Sequence, residues 1–421
     1  TYRAAIDALF TRTSGVWKLG LERVNVLLEL LGNPHRALTV LHVGGTNGKG
    51  SVVATADALL RARGLRVGRY TSPHLIDFRE RILVDGVPIG EEDVLAFLDR
   101  WTGDAERLGA TFFEITTALA LEHFATSDVD VAVIEVGLGG RLDATNVVDP
   151  RAAVVTSIAL DHTEWLGSTL EQIAAEKGAI FKANRPAVIG EQDARIAELL
   201  AQIGASRGAR PIVVTRARGD VTNVRVTITG SEFVLARGGR EVVITTPLHG
   251  KHQADNTVTA LTALDASGLV RWPESSTIRI PDVLLPGRFQ RVGRYVFDVA
   301  HNPSGATVLA ETLRQVELER PIVAVLGVLG DKDWRGIMSA LSPVVDQVVL
   351  TQPPSAPATR VWKLDEALEF ASTLSWSARS EPSFDAALAR ADESGATVLI
   401  AGSFHTVGDA MARLQVNPLA G

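Results

Sequence analysis

The chain predicts an α/β protein: a doubly wound, mostly parallel sheet carrying a small antiparallel sheet, followed by a smaller C-terminal α/β domain. Three observations carry this. Apolar runs of strand length alternate with helix-length stretches through the first 190 residues, the rhythm of parallel strands joined by helices on both faces. Residues 211–247 break instead into short alternating runs interrupted by Gly-Asp, Thr-Gly and Gly-Gly, which suits antiparallel strands with tight turns. After Pro281, Pro286 and Gly287 the first rhythm returns. We therefore divide the chain into 1–285 and 286–421, consistent with a length too great for one core.

Taken in order, Leu21–Leu31 reads as a helix and Leu38–Val43 as a buried strand. Helical spacing covers Ser51–Arg63, Glu91–Leu108 and Phe113–Phe124, with a short strand at Arg66–Arg69. Asp130–Val136 and Ala152–Ala159 read as buried strands, and Leu170–Ile180 as a helix. Val213, Val224, Val226, Ile228, Phe233, Val242 and Ile244 supply the apolar positions of the antiparallel runs, and a helix over His252–Ser267 follows. In the second domain Val296–Val299, Pro321–Leu326, Gln347–Leu350 and Thr397–Ala401 are strands, and Pro353-Pro354-Ser355-Ala356-Pro357 is a surface loop.

The decapeptide His42-Val43-Gly44-Gly45-Thr46-Asn47-Gly48-Lys49-Gly50-Ser51 links the first strand to a helix. A glycine-rich turn at a helix start clusters backbone N–H groups at the positive end of the helix dipole, which is how phosphate is held. Lys49 would add a point charge between outer phosphates, and a nearby hydroxyl could meet Mg²⁺. The usual pattern is matched in part: Val43 stands where a first glycine belongs, and Gly50 separates Lys49 from Ser51. On this motif the first domain is P-loop ATPase-type; the second, by its own alternation of strands and helices, is Rossmann-like.

In doubly wound sheets, ligands sit at the carboxyl ends of strands. Glu135 ends one strand and suits Mg²⁺, which prefers oxygen ligands; a strand-end salt bridge is the alternative. His162, in Leu160-Asp161-His162-Thr163 after the next strand, could bind a second ion or simply sit in the core or cap a helix. Ser72, in Tyr70-Thr71-Ser72-Pro73-His74-Leu75, lies in what spacing alone calls a loop. Asp298 and His301, in Phe297-Asp298-Val299-Ala300-His301-Asn302-Pro303, end the second domain's first strand, where a carboxylate could hold ribose hydroxyls or cap a turn. Lys177 sits near a helix end, where a solvated lysine is the plain expectation.

Composition narrows the partners. Hydrophobic residues make up 46% and charged residues 22%, and the net charge of −7 argues against non-specific nucleic-acid binding. Cysteine is absent, which excludes disulfides, thiolate catalysis and Cys-ligated metals. No apolar run reaches the roughly 18 residues of a membrane span, and the N-terminal residues lack the apolar block of a signal peptide. We expect a cytoplasmic enzyme with small-molecule substrates and no membrane or nucleic-acid partner.

The blocks Gly45–Ser51, Thr71–Leu75, Glu135–Asn146, Leu160–Thr163, Leu284–Phe289, Asp298–Pro303 and Gly402-Ser403-Phe404-His405-Thr406 together resemble folylpolyglutamate synthases, in order and over nearly the whole chain. The variant phosphate loop, with Gly50 after the lysine, is that family's form. The resemblance implies an ATP-dependent amide ligase related to the Mur ligases. It would activate a pteroate or folate carboxylate as an acyl phosphate, which the amine of L-glutamate then attacks. It implies ATP contacts at Thr46, Asn47, Gly48, Lys49, Gly50, Ser51, Asn256, Arg288 and Asp298, and Mg²⁺ ligands at Ser72, Glu135 and His162 for two ions. Lys49, Lys177 and His301 would form the catalytic set, Lys177 matching a lysine that is carbamylated in relatives. His301 and Ser403 match the region proposed to hold incoming glutamate. Trp17, Lys18 and Leu19, with Thr111, Phe112, Phe113 and Glu114, correspond to segments lining the dihydropteroate site of bifunctional bacterial members, although Trp17 and Lys18 depart from the common residues there. Leu142, Asp143 and Ala144, in Arg141-Leu142-Asp143-Ala144, resemble those bifunctional members too. Relatives are commonly monomers.

We therefore expect dihydropteroate, folates and L-glutamate as substrates. Alternatives are a folate-extending enzyme only, a Mur-type enzyme acting on a nucleotide-sugar peptide, and a regulatory ATPase without ligase chemistry. Only 43 residues precede Gly44, few for a nucleotide-sugar domain, and a bare ATPase leaves Asp298, His301 and the 402–406 block without purpose.

Overall fold

The computed structural model describes residues 1–11 and 20–419, so Trp17, Lys18 and Leu19 lie outside the described residues. Among the described residues eight strands form the first sheet: β1 (Val40–Gly44), β2 (Val67–Tyr70), β3 (Ile82–Val84), β4 (Val87–Pro88), β5 (Val131–Glu135), β6 (Ala152–Val155), β7 (Ala187–Ile189) and β8 (Ile212–Val214). Their order is β4-β3-β2-β5-β1-β6-β7-β8, parallel except for β3 and β4. Four strands, β9 (Asp220–Thr227), β10 (Gly230–Arg237), β11 (Arg240–Thr246) and β12 (Thr277–Arg279), make a second sheet in the order β12-β11-β10-β9. Six more form the C-terminal sheet: β13 (Gln290–Val292), β14 (Tyr295–Asp298), β15 (Ile322–Leu326), β16 (Gln347–Leu350), β17 (Ser377–Ser380) and β18 (Thr397–Ala401), ordered β13-β14-β18-β15-β16-β17. The expected fold class is the observed one.

Side chains alternate across the first sheet as the strand period requires. Val40, Ala132 and Ile134 pack on one face with the helices Glu22–Leu30, Glu91–Leu108 and Phe112–Thr126. Leu41, Val43, Val131 and Val133 pack on the other with the helices Lys49–Arg61 and His252–Ala266. Both faces are dry, which is why β1 and β5 read as unbroken apolar runs. No helix among the described residues is long and apolar enough to cross a membrane.

The structure moves several expected elements. Ile212–Val214, with Val213, joins the edge of the large sheet in parallel instead of the antiparallel group, which begins at Asp220. The strand expected over Ala152–Ala159 ends at Val155; residues beyond it turn toward the phosphate loop, whose Thr46 N–H donates to Ser157 O at 2.7 Å. The helix expected from Ser51 begins at Lys49, because Gly48 takes φ +85° and caps it. The helix expected from Phe113 begins at Phe112, capped by Thr111.

Candidate active site

The loop between β1 and the helix Lys49–Arg61 is shaped by two glycines that nothing else could replace. Gly45 has φ +137°, and a Cβ there would lie 1.8 Å from Thr156 Oγ1. Gly48 has φ +85°, and its Cβ would lie 2.5 Å from Asn256 Oδ1. Asn47 O accepts from Thr156 Oγ1 at 2.7 Å and from Ser157 Oγ at 3.1 Å. Thr46 Oγ1 donates to Ala159 O at 3.2 Å. The loop carbonyl is thus tied to the segment after β6, while the first helical N–H groups have no partner inside the helix. Lys49 Nζ donates to Thr46 O at 3.0 Å.

Glu135 ends β5 beside Val43. Its buried carboxylate lies 4.0 Å from Lys49 Nζ and accepts the Ser72 N–H at 3.2 Å. Burial raises its pKa, against the pull of Lys49, the Ser72 N–H, Arg288 and Arg69. Ser72, Glu135, Gly50 and Arg288 line one cleft with Leu285, Pro286 and Phe404. The phosphate loop, Ser72, Glu135 and Arg288 are therefore brought together. Among the described residues no three His, Asp or Glu side chains gather as an all-protein metal cage. A lone buried carboxylate beside a hydroxyl residue and a phosphate loop suits Mg²⁺, which keeps several waters and takes phosphate oxygens.

Asp161 and His162 stand on the loop after β6 and meet the C-terminal unit. Asp161 accepts from Lys332 Nζ at 3.0 Å, and His301 Nε2 lies 3.8 Å from its other oxygen. Burial opposes its ionisation, but the Lys332 ammonium and the His162 and His301 rings beside it prevail and hold it well below the usual carboxylate range. His162 has φ +50°, and burial lowers its pKa to about 4, so it is a neutral donor atom at neutral pH. Asn47 Nδ2 reaches Ser304 Oγ at 3.4 Å, a second bridge between the units.

Lys177 is buried, not solvated: its Nζ donates to Gly45 O at 2.9 Å under the phosphate loop. Burial, then the Lys49 charge, push its pKa down to about 7. Asp298 accepts the N–H groups of Phe289 and Ala300, both at 2.9 Å, so it clamps the turn that presents Arg288. Asn256 donates to Gln253 Oε1 at 3.1 Å and abuts Gly48.

Other candidates are engaged elsewhere. Thr111 and Glu114 form a reciprocal capping box, and Glu114 also pairs with Arg23 at 3.0 Å. Asp143 accepts from the N–H of Leu138 at 2.8 Å and of Thr145 at 3.0 Å. Leu142 is half-buried and Ala144 buried beside it. Ser403 caps the helix Phe404–Arg413 through Thr406 N. Phe112 stacks on Phe10 at 4.6 Å, and Phe113 on Tyr70 at 6.0 Å. Sequence reasoning gave no role to Arg81, Asp161 or Lys332. Lys332 sits in Gly330-Asp331-Lys332-Asp333, a polar turn after a buried strand, a pattern that could have singled it out.

Residues 43–264 match the Mur ligase middle domain and residues 287–404 the Mur ligase glutamate ligase domain. A dihydrofolate synthase/folylpolyglutamate synthase of Escherichia coli is 40% identical over 400 residues, covering 93% of this chain and 90% of that protein. The chain belongs to the dihydrofolate synthase/folylpolyglutamate synthase family of Mur ligases. A crystal structure of Mycobacterium tuberculosis folylpolyglutamate synthase complexed with ADP and AMPPCP superposes with a TM-score of 0.86 at 33% identity, covering 99% of this chain and 100% of that one. A bifunctional folylpolyglutamate synthase/dihydrofolate synthase with Mn, AMPPNP and L-glutamate bound gives 0.83 at 34% identity and 98% coverage of both chains. Similarity of this extent to members of the family spans both units and the cleft between them.

Proposed function

We propose that the chain is an ATP-dependent ligase that joins L-glutamate to dihydropteroate and to the glutamate tail of folates through an acyl phosphate. The observation that carries this is the convergence of Lys49, Glu135 and Ser72 at the carboxyl ends of neighbouring strands, facing Arg288 of the C-terminal unit. Relatives named for both activities, and relatives solved with nucleotide, Mn and glutamate, support it.

ATP supplies, when bound, the phosphoryl group that turns a carboxylate oxygen into a leaving group, and Mg²⁺ supplies positive charge against it. Thr46 to Ser51 bind phosphate oxygens through backbone N–H groups, and Lys49 adds a fixed cation where charge develops. Asn256, Arg288 and Asp298 border the nucleotide from both units. Glu135 and Ser72 hold one ion and His162 a second. Lys177, partly neutral at pH 7 because burial depresses its pKa, takes carbon dioxide on its free base and presents an anionic oxygen group beneath the loop. His301 and Ser403 border the incoming glutamate. Phe112, Phe113 and the Leu142–Ala144 turn wall the pterin. The domain boundary falls at 285/286, and the chain acts as a cytoplasmic monomer.

The test is an incubation with ATP, Mg²⁺, dihydropteroate and glutamate, then with a tetrahydrofolate in place of dihydropteroate. Phosphate release that requires both acceptor and amine is expected with either acceptor. Release indifferent to both overturns the ligase reading, and ligation with the folate alone reduces it to a folate-extending enzyme.

A further inference from the structure

A buried guanidinium, Arg81, follows the cleft-lining residue Glu80. Arg81 is 7% exposed, and among the described residues no carboxylate stands within ion-pair distance of it. Residues 12–19 contain no acidic side chain either. Its Nε donates to His74 Nδ1 at 2.7 Å, and its plane lies over Phe112, 5.1 Å from the ring centroid. The adjacent Glu80 carboxylate accepts the N–H groups of Leu75, Ile76 and Asp77 at 2.8, 2.8 and 2.7 Å, and acts on Arg81 through its charge without a hydrogen bond to it. Among the described residues neither Nη atom has a protein acceptor. Arg69, equally buried, shows the contrast, with Leu284 O at 2.8 Å and Asp57 at 3.5 Å. A buried cation is costly unless an anion joins it, and a guanidinium fork matches a carboxylate with two parallel bonds.

The surroundings specify the anion. Phe10, Phe78 and Phe112 form an aromatic group on one side of Arg81. Toward the phosphate loop, Glu135 is close enough for its charge to act on Arg81. We propose that the two Nη groups of Arg81 dock the carboxylate of the acceptor, a flat aromatic acid whose body lies along the Phe112 side and whose carboxylate faces Glu135. This rests on the ligase reading and names the residue that gives that ligase its acid specificity.

The experiment compares pteroate with its carboxamide as ligands of the full chain, for wild type, Arg81→Lys and Arg81→Gln. Wild type binds the acid at least about tenfold tighter than the amide, a fork's worth of charge-assisted bonds. Arg81→Gln loses that preference and raises the acceptor KM by a similar factor, with the KM for ATP and for glutamate within about twofold. Arg81→Lys retains part of the preference, because it keeps the charge without the fork. An unchanged acid-to-amide ratio in both variants overturns the assignment, as does an ATP KM that moves as far as the acceptor's. Should the substitutions prevent folding, phenylglyoxal labelling of wild type decides: pteroate shields Arg81 and the amide does not, and equal labelling overturns the assignment. Wild type that ligates glutamate while Arg81→Gln keeps the ratio leaves the ligase intact and removes Arg81 from it. Wild type that releases phosphate without acceptor removes both.

Discussion

Lys177 carries a prediction that needs no substrate. An ordinary lysine with pKa 10.5 is about 0.03% neutral at pH 7, whereas this amine, pushed down to about 7, is about half neutral. The gain in free base is about a thousandfold, equivalent to about 5 kcal/mol against the charged form. Burial is the larger cause and the Lys49 charge the second. Only the free base attacks carbon dioxide: its lone pair forms the N–C bond, a proton leaves to buffer, and a carbamate remains. Lys182, pushed down to about 8 chiefly by burial, provides an internal scale, being about a tenth neutral at pH 7. Protein equilibrated with ¹³C-bicarbonate at pH 7.5 should show a carbamate resonance that Lys177→Met abolishes, at several times the intensity of any Lys182 signal. The unlabelled protein checks the same burial by another route. A lysine whose folded pKa is depressed leaves the unfolded chain holding more protons, so this group's contribution to stability rises with pH between about 7 and 10.5. In carbon dioxide-free buffer, the urea stability of wild type relative to Lys177→Met should grow by about 2–3 kcal/mol from pH 7 to pH 9. Absence of a Lys177-dependent carbamate, together with a pH-independent stability difference, refutes the picture of a desolvated amine under the phosphate loop.

Lys49→Ala should cut turnover by about a hundredfold or more and leave the melting temperature nearly unchanged, since the role proposed for the side chain is toward phosphate and the side chain is partly exposed; wild-type turnover contradicts the loop assignment. Asp143→Ala should destabilise the protein by about 2–4 kcal/mol, because the buried N–H groups of Leu138 and Thr145 lose their acceptor, and should impair use of dihydropteroate more than extension of tetrahydrofolate. Denaturant melts and paired kinetics check the two halves, and equal losses on both acceptors remove the pterin role. Asp161→Asn should loosen the two units, read as faster proteolysis at the 281–287 joint, because Lys332 loses its 3.0 Å partner. The wild-type Asp161 pKa is depressed in the fold, so its contribution is present above about pH 4 and fades as pH falls further; cleavage that does not accelerate under acid removes Asp161 as the tie.

The phosphate loop was legible because its residues are constrained in two ways at once. Gly45 and Gly48 need positive φ and have no room for a side chain, so the turn writes itself into composition. The strands around it were legible because both faces are buried. The short hairpin β3–β4 was not read, although Asp85-Gly86 at its turn, with φ +51° and +81°, is a recognisable hairpin signal. The single strand β8 was misplaced because three apolar residues before a turn look alike at the edge of a parallel sheet and in a hairpin.

The site was legible residue by residue and opaque in its pairings. Thr111, Glu114, Asp143 and Ser403 bear oxygen atoms of a kind that can bind ligands, but the same atoms cap helices, and here caps occupy them. Lys332 and Asp161 are 171 residues apart, and no local pattern joins them. The decisive relation is likewise long-range. Strand β5 lies beside β1 in a register that pairs Val43 with Glu135. Ile134 faces the apolar layer formed with Val40 and Phe124, and Val133 faces the opposite one. A slip of one residue would exchange those faces and carry every side chain of β5 across the sheet. The carboxylate would then leave Lys49 and Ser72, although each residue of the motif would remain in the sequence. The chemistry therefore depends on the apolar alternation of β5, which sets the register, as much as on the charged residues that use it.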